Sequence, residues 1–306
     1  MLREGLSGGH KGVTALADDS DVQESFRSRI RRIQPTPTQV DRLQKRAARI
    51  RNRLKACFPI VKCPLAGSYS RRTAIGGSSD LDLFALVRRR ELAHGDGEIE
   101  ATTFLRRVRD DLRACFPSTW VVVDRQAVVL DFANGDRIEV VPAVFDAPRP
   151  DGYPTYLIPD TGTGWIRTSP ELHKRYLDQA AKRSGNKLPR LVQLLKYWAL
   201  GRVSSLPIQS FYLEMSLAEA GVAVGAKSYG QAMADALDVL LKREVRAIKD
   251  PCGISDRIRA VQTRAQRESL VQAIATVSRQ AERALEAEEG GDSCEARHRW
   301  RRVFNE

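Results

Sequence analysis

The stretch SSDLDLFALV, from Ser78 to Val87, restricts the possible folds of this chain more than any other. Leu81 and Leu83 through Val87 make an apolar run of strand length, yet Asp80 and Asp82 stand at its start. In an extended strand, residues i and i+2 share a face. The two acids therefore project together while Leu81 and Leu83 enter a core. Adjacent carboxylates repel, and burying them is costly unless something compensates. A divalent cation does so. Mg²⁺ takes oxygen ligands, commonly one or two carboxylates plus substrate phosphates.

A third acid sits in RIEVVPA, where Glu139 lies between Ile138 and Val140. If this strand neighbours the first, three carboxylates converge. Such a set can hold two ions, one activating a hydroxyl and one neutralising a leaving phosphate. Asp131 and Asp136 are alternatives for the third acid that fit the strand pattern less well. Upstream, Gly67 and Ser68 follow a short apolar segment, Val61–Leu65. Glycine lets backbone approach a phosphate closely, and the serine hydroxyl donates to a phosphate oxygen. A lone D-x-D is common in surface turns and also marks sugar-nucleotide glycosyltransferases. The conjunction of Gly-Ser, D-x-D and a later strand acid carries the signal.

The chain has 306 residues and 42% hydrophobic content, enough for one or two cored domains. No run approaches the roughly 18 apolar residues of a membrane span. The amino-terminal residues lack the apolar block of a secretory signal, and a cytoplasmic protein with no membrane partner is expected. Five cysteines are scattered without a C-x-x-C pair, which argues against a zinc or disulfide framework. His10, His94, His173 and His298 are equally dispersed and read as surface residues.

The net charge is +12, and eleven Lys or Arg against one acid between Arg27 and Lys55 concentrate +10 of it. A solvated helix face explains this, as does steering of an anionic substrate. Val40, Leu43, Ala47, Ile50, Leu54 and Cys57 recur at spacings of 3 and 4, one stripe of a helix starting near Thr36 as N-cap. Residues 1–24, rich in Gly, Ser and Asp, read as a disordered N-terminus. Strands are expected at 61–65, 81–87, 120–123, 127–132 and 137–141, with Asn134-Gly135 a hairpin turn, and a helix lies between the second and third. The Pro- and Gly-rich segment 147–164 reads as a connector. Beyond it, helices are expected over about 170–183, 188–201, 208–221, 230–248 and 262–288. The fold class is α+β. A catalytic core with a mixed sheet spans 25–150, an α-helical domain spans 151–306, and a cleft between them is the default ligand site.

G-S, then S-D-L-D-L and I-E-V-V-P-A, resembles the polymerase-β-like nucleotidyltransferases, and within them the CD-NTase family. These are bacterial cyclic-oligonucleotide synthases related to cyclic GMP-AMP synthase and oligoadenylate synthase. GWIRTSPELH, LLKYW, QSFYLEMSL, IKDPCG and the terminal WRRVF extend the resemblance from about residue 30 onward. It implies catalysis and metal binding by Asp80, Asp82 and Glu139, with two Mg²⁺ ions or Mn²⁺ in their place. Glu139 departs from the usual Asp by one methylene. Nucleotide binding falls to Gly67, Ser68, Lys196, Ser210, Phe211 and Ser169.

By pattern alone Lys196 is a helix-edge lysine and Phe211 helix core. The resemblance gives Lys196 and Ser210 to the donor triphosphate and Phe211 to base stacking. It makes Ser169 a base selector leaning towards purines. The implied product is a cyclic di- or trinucleotide messenger of anti-phage (CBASS) signalling, read by a separate effector. A linear-product or small-molecule nucleotidyltransferase and a decayed nucleic-acid-binding module are the alternatives. The basic helix 38–57 matches a helix that engages duplex nucleic acid in the animal DNA sensor, a role the pattern here does not favour.

Overall fold

The structure is a computed structural model and describes residues 11–94, 97–201, 206 and 208–306. In chain order the elements begin with α1 (Lys11–Ile33), α2 (Pro37–Cys57), β1 (Ile60–Lys62), α3 (Gly67–Ser70) and β2 (Leu81–Val87). A short ribbon of β3 (Ala93–His94) and β4 (Gly97–Glu98) precedes α4 (Ala101–Cys115). Then come β5 (Trp120–Asp124), β6 (Ala127–Asp131), β7 (Arg137–Ala147), β8 (Thr155–Asp160) and β9 (Gly164–Thr168). The remainder is α5 (Pro170–Arg183), α6 (Lys187–Leu200), α7 (Ser210–Ala220), α8 (Tyr229–Lys242), β10 (Ile248–Lys249), β11 (Arg257–Ile258), α9 (Arg264–Glu289) and α10 (Ser293–Val303). Two compact units result: residues 34–179 with 249–257, and residues 1–33 with 180–248 and 258–306.

The first unit is built on a seven-stranded mixed sheet whose main path runs β1-β2-β7-β6-β5, with β8 on β7 and β9 on β8. β2 and β7 are parallel and central, while their other pairings are antiparallel. One face packs Leu81, Leu83, Ala85, Ile138 and Val140 against Leu43, Ala47, Ile50 and Leu54 of α2 and Phe104, Leu105, Val108 and Leu112 of α4. The opposite face carries Phe84, Leu86 and Ala143 with Tyr156. Alternation along β2 and β7 thus fixes which residues sit on the acid-bearing face.

α2 starts as expected, with the Thr36 hydroxyl accepting from Gln39 N at 3.2 Å and Pro37 in the first turn. Much of its positive charge is internal. Arg42 makes bidentate bonds of 2.6 and 2.7 Å to Asp136, and Arg46 pairs with the same carboxylate. Arg53 binds Asp111, and Arg51 Nε donates to the Cys63 carbonyl at 2.8 Å. Asp136, its side chain 3% exposed, is thereby committed to α2 and is not a third acid for a metal.

The segment 147–164 is not merely a connector. Residues 155–160 and 164–168 form the β8–β9 hairpin, and Asp160 Oδ2 closes its turn by accepting from Gly162 N and Thr163 N at 3.0 and 2.9 Å. Gly and Pro dominate the composition, but Tyr156–Ile158 and Trp165–Ile166 are short runs of strand-forming residues. His173 is likewise buried rather than at the surface.

The second unit is helical. The expected disorder over residues 1–24 is overturned for residues 11–24, which lie in α1; residues 1–10 fall outside the described residues. Val22, Phe26, Ile30 and Ile33 recur at spacings of 4, 4 and 3 and are buried, a stripe the polar composition hid. Phe26 meets Trp300 edge-on at 5.0 Å and Phe304 at 6.0 Å, so α1 completes the core formed with α10. The division at 33/34 and 179/180 therefore differs from the expected 24/25 and 150/151. Capping boxes at Ser228–Gln231 and Thr263–Gln266 start α8 and α9. Among the described residues no helix is long and apolar enough to cross a membrane.

Candidate active site

β2 and β7 pair in parallel with Asp82 directly opposite Glu139, so the adjacency required of the two strands is met. Asp80 lies just before β2, two residues ahead of Asp82. Glu139 is the more enclosed acid, its side chain 24% exposed against 39% for Asp80. Burial pushes the Glu139 carboxyl up, opposed by the charge and hydrogen bond of Arg137.

α3 begins at Gly67 with φ +58°. A Cβ built there would fall 1.6 Å from Asp82 Oδ2. The glycine therefore makes room for the Asp82 carboxylate, and Ala66 N donates to the Asp82 carbonyl at 2.9 Å to hold the two segments together. Ser68 is buried next to it, and its carbonyl accepts from Thr73 N at 2.9 Å.

Arg137 is the residue that sequence reasoning missed. Its guanidinium lies 3.5 Å from Asp80, 3.3 Å from Glu139, 3.2 Å from Asp124 and 3.7 Å from Asp131. The Arg-x-Glu spacing on one strand face was the available signal. One cation shared among these acids fits a site whose donors are all oxygen and whose charge calls for positive partners. With the cradle opened by Gly67, the residues present suit Mg²⁺ or Mn²⁺.

Arg137→Gln is expected to tighten Mn²⁺ binding about 5–30-fold, the equivalent of about 1–2 kcal/mol for a half-exposed charge at this distance. Arg137→Lys should change it little. Titration of the protein by Mn²⁺ electron paramagnetic resonance reads this directly. Unchanged or weaker binding in Arg137→Gln would make the arginine a scaffold for the acids instead.

The other expected nucleotide residues lie elsewhere. Ser169 is fully buried, and its hydroxyl donates to the Pro154 carbonyl at 2.8 Å, so it is spent on the β9–α5 corner. Lys196 is half-buried on α6, with Ser210 and Phe211 half-buried in the first turn of α7. These three belong to the helical unit.

Among the described residues, His173, Asp250 and Cys252 bring one potential ligand atom each to within 4.8 Å of one another. Asp250 already accepts from His173 Nε2 at 2.9 Å, Cys252 N at 2.9 Å, Ile254 N at 3.2 Å and Ser255 N at 3.0 Å. Burial works to raise its carboxyl, but His173 and these amides hold it well below the usual carboxylate range. Burial and the Asp250 charge push the Cys252 thiol up to about 12, which opposes a metal thiolate. The cluster pins the 249–257 loop to α5.

A depressed carboxylate stabilises the fold above its unfolded pKa and loses that contribution as pH falls through the folded one. Asp250→Ala should cost about 3–5 kcal/mol near neutral pH. The gap from wild type should stay constant above about pH 5 and shrink in more acid solution. Denaturant melts across pH, with hydrogen exchange over 249–257, check both.

Residues 21–180, more than half the chain, match the Second Messenger Oligonucleotide or Dinucleotide Synthetase domain. Cyclic AMP-AMP-AMP synthase of Escherichia coli (strain MS 115-1) is 22% identical over 251 residues, 78% of this chain and 72% of that protein. A probable cyclic nucleotide synthase of Bacillus cereus (strain VD146) is 24% identical over 175 residues, 48% of this chain. That match spans about half, 52%, of the Bacillus protein. The solved structure of E. coli MS115-1 CdnC with ATP superposes with a TM-score of 0.70 at 18% identity, covering 93% of this chain and 98% of that one. The sheet, the paired acids and the glycine cradle define a nucleotidyltransferase fold. The chain belongs to the second messenger oligonucleotide or dinucleotide synthetase family, the CD-NTases.

Proposed function

We propose that the protein joins nucleoside triphosphates, without a template, into a cyclic di- or trinucleotide. The observation that carries this reading is the Asp82–Glu139 register on adjacent parallel strands, with Gly67 against Asp82. Asp80, Asp82 and Glu139 would hold the divalent ions. When bound, these ions supply charge neutralisation at the phosphates and a lowered pKa at the attacking hydroxyl. Arg137 offsets the repulsion between Asp80 and Glu139 until the ions take its place. Gly67 and Ser68 form a phosphate-side lip beside Asp82. On the helical unit, Lys196 and Ser210 are assigned to triphosphate oxygens and Phe211 to stacking on a base.

In the reaction a 2′- or 3′-hydroxyl oxygen bonds to the α-phosphorus of a second nucleotide as the bond to pyrophosphate breaks. The hydroxyl proton passes to solvent. Repetition within the bound oligomer closes the ring. ATP is the first substrate to try, since a related protein is a cyclic AMP-AMP-AMP synthase and a solved structure of similar fold contains ATP. Ser169 carries no base-selecting role in this reading, because its hydroxyl is already bonded inside the fold. Membership of the second messenger synthetase family supports a product that serves as a messenger, read in this proposal by a separate effector in anti-phage defence.

The test is incubation with labelled triphosphates and Mg²⁺ or Mn²⁺, followed by phosphatase and mass spectrometry. A phosphatase-resistant product with the mass of a ring is expected. A phosphatase-sensitive product would assign linear synthesis or transfer. No product under either metal, with or without added nucleic acid, would overturn the reading.

A further inference from the structure

A cavity of about 740 Å³ lies away from the paired acids, between α4 and the sheet-edge strand β5. Thr102, Arg106, Arg109 and Arg113 line it from α4. Their spacings of 4, 3 and 4 put them on one helix stripe, flanking the buried face of Phe104, Leu105, Val108 and Leu112. Trp120 lines the same cavity and, at 69%, is the most exposed large hydrophobic side chain among the described residues. No acid lines it. Arg106 and Arg113 make no ion pair with any described residue. Arg109 pairs only with the exposed Asp110, at 2.7 Å, a contact worth little in water.

Exposing an indole costs apolar burial, and neighbouring arginines repel. Together the two features fit a ligand that is flat, apolar-faced and repeatedly anionic. We propose that this groove binds single-stranded nucleic acid, with an unpaired base stacked on Trp120 and successive phosphates on Arg106, Arg109 and Arg113. Neighbouring arginines on the stripe sit about 5–6 Å apart. This spacing matches successive phosphates along a strand better than the close-set phosphates of one triphosphate. A duplex offers phosphates but no free base face for the indole. The basic helix α2 is a poorer candidate, since Arg42, Arg46, Arg51 and Arg53 are bonded within the fold. The inference stands apart from the proposed catalytic reading and uses none of its residues.

Fluorescence anisotropy on the full-length protein tests it, with labelled oligothymidylate and the matching RNA of about ten nucleotides, the same sequence as duplex, and ATP as competitor. Single strands should bind with a log–log salt slope of about −2 for three phosphate contacts. Trp120→Ala should weaken binding about 5- to 150-fold, and Trp120→Phe should retain most of it. Arg106→Glu with Arg113→Glu should remove binding. The indole is exposed, so its loss should leave the melting temperature unchanged. Equal affinity for duplex, or no effect of Trp120→Ala, would overturn the stacking assignment. Displacement by acidic polypeptide with the same arginine dependence but no tryptophan dependence would assign an acidic protein partner instead. Absence of binding at low salt would overturn the proposal outright.

Discussion

Asp82→Asn is expected to remove nucleotidyl transfer by about 10³-fold or more while the catalytic unit stays folded. The carboxylate stands opposite Glu139 across the central parallel pair, where the proposed function has the two strands share an ion. An amide keeps the shape but gives up the charge. Metal-assisted stabilisation of transition-state charge is worth several kcal/mol, and about 4 kcal/mol is a factor of roughly 10³. The backbone carbonyl of Asp82 still accepts from Ala66 N, and Leu81 and Leu83 still fill the core. Single-turnover rates under saturating Mg²⁺ and Mn²⁺, beside a thermal melt, separate the two. Residual activity within about tenfold of wild type would place the essential carboxylates elsewhere. Glu139→Asp sharpens the point, because it keeps the charge and restores the acid usual in the family. It should stay far more active than Glu139→Gln.

The part of the site that sequence revealed is the part carried by strict alternation. Asp80, Asp82 and Glu139 sit in apolar runs of strand length, so their side was readable residue by residue. That β2 and β7 would be neighbours was only a condition, because sheet order depends on long-range pairing that no local pattern encodes. The same limit hid Arg137, whose role depends on Asp80, just before β2, and on Asp131 of β6. Helix α2 was legible from its Thr36 cap and its 3–4 stripe, but its charge was not. Only the fold shows Arg42 and Arg46 converging on Asp136. The β8–β9 hairpin is hidden because Pro and Gly in 147–164 outweigh two short runs of strand-forming residues. α1 was lost because four well-spaced apolar residues were diluted by polar neighbours. His173 and Ser169 illustrate a further limit. A polar residue becomes buried when the fold supplies its partners, here Asp250 and the Pro154 carbonyl.

Gly67→Ala should do more damage than its single methyl suggests, through two separable effects. A residue at φ +58° costs an L side chain about 1–2 kcal/mol. The new Cβ would also sit 1.6 Å from Asp82 Oδ2, 2.3 Å from its Cγ and 3.0 Å from its Cβ. Since β2 is paired on both sides, its backbone is the stiffer partner and the Asp82 carboxylate or the α3 turn must yield. The first movement takes the Asp82 carboxylate from its place beside Glu139 and the second shifts Ser68, so activity should fall at least about 10²-fold. Stability should fall by about 2–3 kcal/mol. The double variant Gly67→Ala with Asp82→Ala isolates the clash, because truncation removes the two nearest atoms and leaves only the 3.0 Å approach. Its loss of stability should therefore be smaller than the sum of the two single losses, a coupling of about 1 kcal/mol or more in denaturant melts. Strict additivity would show that backbone conformation alone demands glycine at position 67, and that the carboxylate has room to spare.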